Sequence, residues 1–294
     1  GIGYQSLINN TNGSSNTAVG TQAMTSNITG NNNTAVGYLS LYNNTTGINN
    51  AAHGYSAMYG NTTGFNNVGI GQKSLFSNTT GFNNTSVGPQ TMYSNTTGQN
   101  NTAIGSTALY GNTTGQQNIA IGQASLSTNT TGSNNVAVGY QALLKTTSHE
   151  NVAVGITAMS YNSTGTHNTA VGYNALNTNR RSPDNTALGY RALETNTGAY
   201  NTATGSRALQ SNTTGVNNTA VGYGALKLND TSSHSVAVGY EALNKNAASE
   251  NTAVGYHSLY SNTSGTINTA IGFNSLGNNT TGGQNIAVGG YALY

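Results

Sequence analysis

The chain has 294 residues, only 5% of them charged, with eight Lys and Arg against six Asp and Glu and a formal net charge of +2. Cations this few and scattered form no surface that tracks a phosphate backbone, so nucleic acid is not an expected partner. The absence of cysteine removes disulfides and thiolate metal sites, no apolar run of about twenty residues is present for a helical membrane span, and weak charge repulsion makes self-association the expected state.

From its first residues the sequence repeats. A glycine recurs at Gly3, Gly20, Gly37 and onward through Gly122 and Gly139 to Gly289, eighteen in all. The steps are seventeen residues, except three of sixteen that begin at Gly139, Gly189 and Gly239. A period this short marks a solenoid, in which one turn buries its apolar side only when neighbours stack on it. Residues 1–294 therefore read as a single repeat domain, and the chain opens and closes inside a repeat, as a slice of a longer fibre would.

Within each repeat the columns are strict. Four residues before the key glycine stands Asn in sixteen of the seventeen complete repeats, including Asn101 and Asn135, with Ser235 as the exception. Stacked on a parallel sheet, these side chains predict an amide ladder along the axis. Next come Thr, Val or Ile, then a small residue such as Ala35 or Ala137, then Val, Ile or Leu, as at Val138. Alternation puts the bulky residues and the following Tyr on one face of a strand, and Asn, Ala and Gly on the other. The bare face permits close approach of another backbone, either inside the turn or across a subunit contact.

Four residues after the glycine a column of Leu, with Met in four repeats, runs from Leu7 through Leu126 and Leu143 to Leu293. It predicts a core. Seventeen residues with two turns leave no room for a helix, so each repeat is expected to hold two short strands and two bends. The fold expected is all-β, a parallel β-solenoid of about eighteen turns, and at about 4.8 Å per turn a rod of roughly 85 Å. The second bend is commonly Asn-Thr-Thr-Gly, as at residues 61–64, with its Gly expected at positive φ and its Asn bonded to nearby backbone.

Candidate chemistry is sparse. The glycines precede no helix and no phosphate-loop motif is present. The five histidines show no paired ligand spacing. Glu150, Asp184 and Glu250 share a column but never occupy adjacent turns, which leaves no close carboxylate pair. Glu241 and His257 do face each other on adjacent turns. No active site, metal or cofactor is expected, and the chain does not read as an enzyme. Tyr rows such as Tyr42, Tyr59 and Tyr93 suit corner packing or stacking on sugars. Many Asn-Thr-Thr triplets also match the N-glycosylation pattern.

The segments Asn135-Val136-Ala137-Val138-Gly139 and Asn118-Ile119-Ala120-Ile121-Gly122, each followed after two residues by Ala or Ser, resemble the head repeats of trimeric autotransporter adhesins and repeats in phage tail-fibre shafts. The resemblance covers some eight residues of every repeat. It implies a left-handed parallel β-roll, three chains side by side, on a cell or virion surface. The expected function is therefore a structural solenoid segment of an extracellular fibre, tail fibre or adhesin, with other copies of itself, and host-surface glycans or receptors, as partners. An ice-binding solenoid is the alternative, since rows of Thr on a flat sheet suit an ordered water lattice.

Overall fold

The structure is a computed structural model that describes all 294 residues. The chain divides into two compact units, Gly1–His149 and Glu150–Tyr294. The first holds eight strands, from β1 (Thr17–Val19) and β2 (Thr34–Val36) to β6 (Thr102–Ile104), β7 (Ile119–Ile121) and β8 (Val136–Val138). The second holds nine, from β9 (Val152–Val154) to β17 (Ile286–Val288), with β11 at Thr186–Leu188 and β12 at Thr202–Thr204. Within each unit every strand pairs in parallel with that of the next turn. The partners are equivalent residues, such as Thr102 with Ile119, Ala103 with Ala120 and Ile104 with Ile121. Each unit is thus a parallel β-solenoid. Seventeen of the repeated glycines follow a strand, and Gly3 follows an isolated bridge between Ile2 and Val19.

Each strand is only three residues long. β-Branched residues extend the chain, and the key glycine ends it: Gly122 takes φ +126°, in a region side chains rarely adopt. The expected second strand is absent. The arm after the glycine is a series of turns in which alternate residues are left-handed, Ala124 at φ 57° and Leu126 at 50°. The whole Leu and Met column shares this conformation, between 47° at Met92 and 55° at Met24. A left-handed residue with a side chain costs roughly 1–2 kcal/mol, whereas burying a Leu contributes about 1.5–3 kcal/mol. Leu126 and Leu143 are fully buried, so burial wins.

The bare face turns inward. The small residue in mid-strand is buried in turn after turn, and so are the small residue and the Leu or Met that follow the glycine. The Ala column therefore cannot be a contact between copies. The bulky residues that flank it in the strand, together with the Tyr after the glycine, point out. This sidedness reverses the usual preference for large aliphatics inside, because a turn this narrow has room for one Leu per level opposite Ala.

The bend also differs from expectation. Gly64 does not take a left-handed φ; a Cβ there would lie 2.3 Å from Asn61 Oδ1 and 2.5 Å from Gly81 O. Its glycine is set by crowding. The left-handed position falls two residues on, at Asn66, φ 55°. The sixteen-residue repeats lose their residue inside this bend. Asn196 Nδ2 reaches Gly198 O, two residues away, where Asn212 Nδ2 reaches Gly215 O, three away. The pairing of β11 with β12 is undisturbed, Thr186 lying opposite Thr202.

Candidate interaction surface

The interior columns fix the outer face. Asn101 is buried, and its side chain and backbone N–H make five hydrogen bonds. Its backbone N–H and Nδ2 donate to Asn84 Oδ1 at 3.0 and 3.2 Å, and Nδ2 also donates to Gly115 O at 2.9 Å. Its Oδ1 accepts from Asn118 N and Nδ2 at 3.0 and 3.1 Å. Asn135 repeats the pattern two turns further, with Asn118 Oδ1 and Ser148 O as acceptors. The amide ladder is present, and even Ser235 joins it, donating its N–H to Asn218 Oδ1 at 3.0 Å.

A second interior ladder runs through the bend Asn residues. Asn95 Nδ2 donates to Asn78 Oδ1 at 2.7 Å and to Gly98 O at 3.1 Å, and Asn112 repeats this with Asn95 and Gly115. The sequence reading gave these residues only their local bond. The seventeen-residue recurrence of Asn at the bend was the signal for the ladder. In two short repeats the ladders join, Asn201 Nδ2 donating to Asn196 Oδ1 and Asn251 Nδ2 to Asn246 Oδ1, both at 3.3 Å. The same bend Asn residues carry the N-glycosylation triplets. They are buried, with both Nδ2 hydrogens committed.

Fixed from within, the strands present two parallel columns to the outside. One is Thr, Val or Ile, as at Thr102, Ile119 and Val136; the other is Val, Ile or Leu, as at Ile104, Ile121 and Val138. Ile70 is 43% exposed, Ile104 41% and Ile271 41%. The outward Thr hydroxyls of β6 and of Thr169, Thr186 and Thr219 make no hydrogen bond within the chain. By contrast, Thr79 Oγ1 in the bend donates to Thr96 O at 3.0 Å, and Thr96 Oγ1 to Thr113 O at 3.0 Å. Free hydroxyls thus mark the strand face.

The aromatic rows stack on themselves. Tyr42, Tyr59, Phe76, Tyr93 and Tyr110 form one half-buried ladder in the first unit, with centroids 5.0–5.2 Å apart. Tyr223, Tyr240, Tyr256 and Phe273 form another in the second, at 5.1–5.3 Å. Ring faces are consumed by neighbouring rings, which leaves mainly edges for a sugar. Partial burial in this stack, with Glu241 beside it, raises the Tyr240 pKa above the ordinary tyrosine value.

Charge gathers into small clusters in the second unit. His257 Nε2 lies 3.1 Å from Glu241 Oε2, the pair expected from their shared column, against the ring of Tyr256 at 4.0 Å. His167 lies 2.6 Å from Glu150 and 3.7 Å from Asp184, bridging two carboxylates that occupy alternate turns. All three are exposed, and no group of three or more His, Cys, Asp and Glu is arranged to hold a metal. Val138, Gly37, Gly122 and Gly139 lie on the strand or where it ends, and Leu126, Leu143, Asn101 and Asn135 lie inside.

This geometry defines the class: a charge-poor parallel β-solenoid held by interior amide ladders. A scan against protein-family models and a search of curated proteins return no match.

Proposed function

We propose that this chain is a structural β-solenoid segment of an extracellular fibre, a phage tail fibre or an adhesin, which spans distance and presents a surface for attachment. The observation that carries this reading is the direction of its bonding. Both Asn ladders, the strand pairing and the aromatic stacks all run from one turn to the next, for example Asn118 to Asn101 to Asn84. Such bonding adds turns without altering those already formed, which is how repeat proteins gain length. The resemblance to adhesin head repeats supports several chains side by side and a left-handed coil, and the scarcity of charge supports self-association. Host-surface glycans or receptors are the proposed targets. Electron microscopy of the purified chain tests the reading: slender assemblies several chains thick are expected, and compact single particles would overturn it.

Ice binding is the second reading, and one observation favours it. Free Thr hydroxyls alternate with Val and Ile on an in-register parallel sheet, and a regular row of hydroxyls is what a surface that orders water requires. Against it, Val, Ile or Ala replaces the Thr in several turns, at Ala51, Val68 and Ile119. Thermal hysteresis and faceted ice crystals would establish it.

A further inference from the structure

We infer that the outward strand face is where copies of this chain pack against one another, side by side and turn against turn. The inference rests on the self-association part of the proposed function and names the surface it uses. Three observations bear on it.

The first is exposure. In each unit the residue just before the key glycine is a large aliphatic in nearly every turn, and it is open to solvent, 41% at Ile104, 37% at Ile121, 37% at Val221 and 41% at Ile271. Scattered apolar residues are ordinary on a surface, but a continuous stripe of them marks a contact.

The second is where charge is missing. None of the eight Lys and Arg or six Asp and Glu falls between three residues before the key glycine and one after it, in any repeat. Charge enters the outward columns elsewhere: Lys73 and Arg207 two after the glycine, Lys245 six after, Arg180 eight after, Glu150 five before. Solvent exposure alone does not explain this, since the residue just before the glycine is exposed at Ile104 and Ile271, whereas Lys73 and Arg207 are half-buried. Depletion of charge is what the core of a protein contact shows.

The third is the period, which selects the occupant. The stripe is a grating with one Val or Ile per turn, about 4.8 Å apart. A globular partner meets such a grating at a few turns. A second copy carries the same period, so each aliphatic side chain can seat between two on the facing chain at every level. The unpaired Thr hydroxyls beside them then find partners across the contact.

The test compares sedimentation, at micromolar concentration, of the chain and two double variants. Ile104→Lys with Ile121→Lys places charge on the stripe, at positions exposed in the single chain. Thr97→Lys with Thr114→Lys adds the same charge at exposed bend positions. The expected result is a multiple of 30.0 kDa for the chain and for the bend variant, and 30.0 kDa for the stripe variant with an unchanged β-sheet spectrum. A second readout uses the absence of native cysteine: Thr102→Cys is expected to cross-link chains on oxidation and Thr97→Cys is not. If the stripe variant stays assembled and Thr102→Cys stays unlinked, the face is wrong and self-association stands. If the unmodified chain is a monomer, both fall. A monomer whose ice-shaping activity is lost with Ile104→Lys and Ile121→Lys would assign the stripe to ice instead.

Discussion

At Gly122 two constraints coincide, and either would suffice to demand glycine. Its φ of +126° is closed to residues with a Cβ, and a Cβ built there lies 2.5 Å from Gly139 O. Backbone cannot yield as a side-chain tip can, so Gly122→Ala is expected to cost at least about 3 kcal/mol, well above the usual strand substitution. A melting temperature within a degree or two of the parent would show that the turns can move apart. Gly69 is a different case. It replaces the usual mid-strand Ala, and a Cβ there would meet Met58 Cγ at 2.7 Å and Sδ at 3.0 Å. Met58 has leaned into the space the missing methyl leaves, and a flexible thioether can retreat. Gly69→Ala is therefore expected to be mildly destabilising, by about 1 kcal/mol, and Met58→Leu in the same chain to recover it. Urea unfolding of the two singles and the double gives the coupling, and strict additivity would refute it.

Among the elements, the Asn ladder is the one whose loss has a pH signature. Asn101→Asp keeps the shape, removes both Nδ2 donors and places a carboxylate among buried groups. Desolvation raises the pKa of that carboxyl in the folded state above its unfolded value. The variant is therefore most stable below the unfolded pKa of about 3.9 and loses stability as pH rises through the folded value. At neutral pH the loss is expected to exceed the 1–3 kcal/mol typical of one unpaired buried group, at roughly 3–5 kcal/mol. A denaturation series from pH 3 to pH 8 in which the variant and parent stay parallel would mean that water reaches the ladder. The Asn, Ala and Leu columns, and hence the stacking register, were all legible in the sequence. Two things were not. Alternation defines two faces of a strand without saying which is inside, and only the narrowness of the turn, set by Leu126 opposite Ala137, turns Val138 outward. Left-handed residues two apart, such as Gln141 and Leu143, mimic the every-other spacing of a strand. Gln, Leu and Met give no glycine or asparagine signal at those positions, so the second arm read as a strand.

At the scale of the whole molecule, the bend ladders bear on where the chain can be made. Asn61, Asn78, Asn95, Asn112 and Asn212 each begin an Asn-Thr-Thr triplet, and each is buried with its Nδ2 donating to the preceding bend Asn and to its own bend Gly. An N-linked sugar replaces a hydrogen on that nitrogen, so one modified Asn breaks a ladder bond worth about 1–3 kcal/mol once its acceptor is left unpaired. It also forces a sugar into a space where Gly64 has no room for a Cβ. Sugars and this fold are mutually exclusive at these residues. In a secretory host that transfers N-glycans during synthesis, the chain is expected to be modified, to fail to fold and to be degraded. The third residue of each triplet, Thr63, Thr80, Thr97, Thr114 and Thr214, is exposed. Changing these and the equivalent bend residues to Ala, together with Ser86, which completes an Asn84-Thr85-Ser86 triplet, removes the acceptor pattern from the interior Asn residues while leaving every one of them in place. Such a variant is expected to be secreted as a protease-resistant β-sheet protein, whereas the parent is recovered only when glycan transfer is blocked. Mass spectrometry decides the matter: a glycan found on Asn78 in folded, protease-resistant protein would show that the bend ladder opens to admit it.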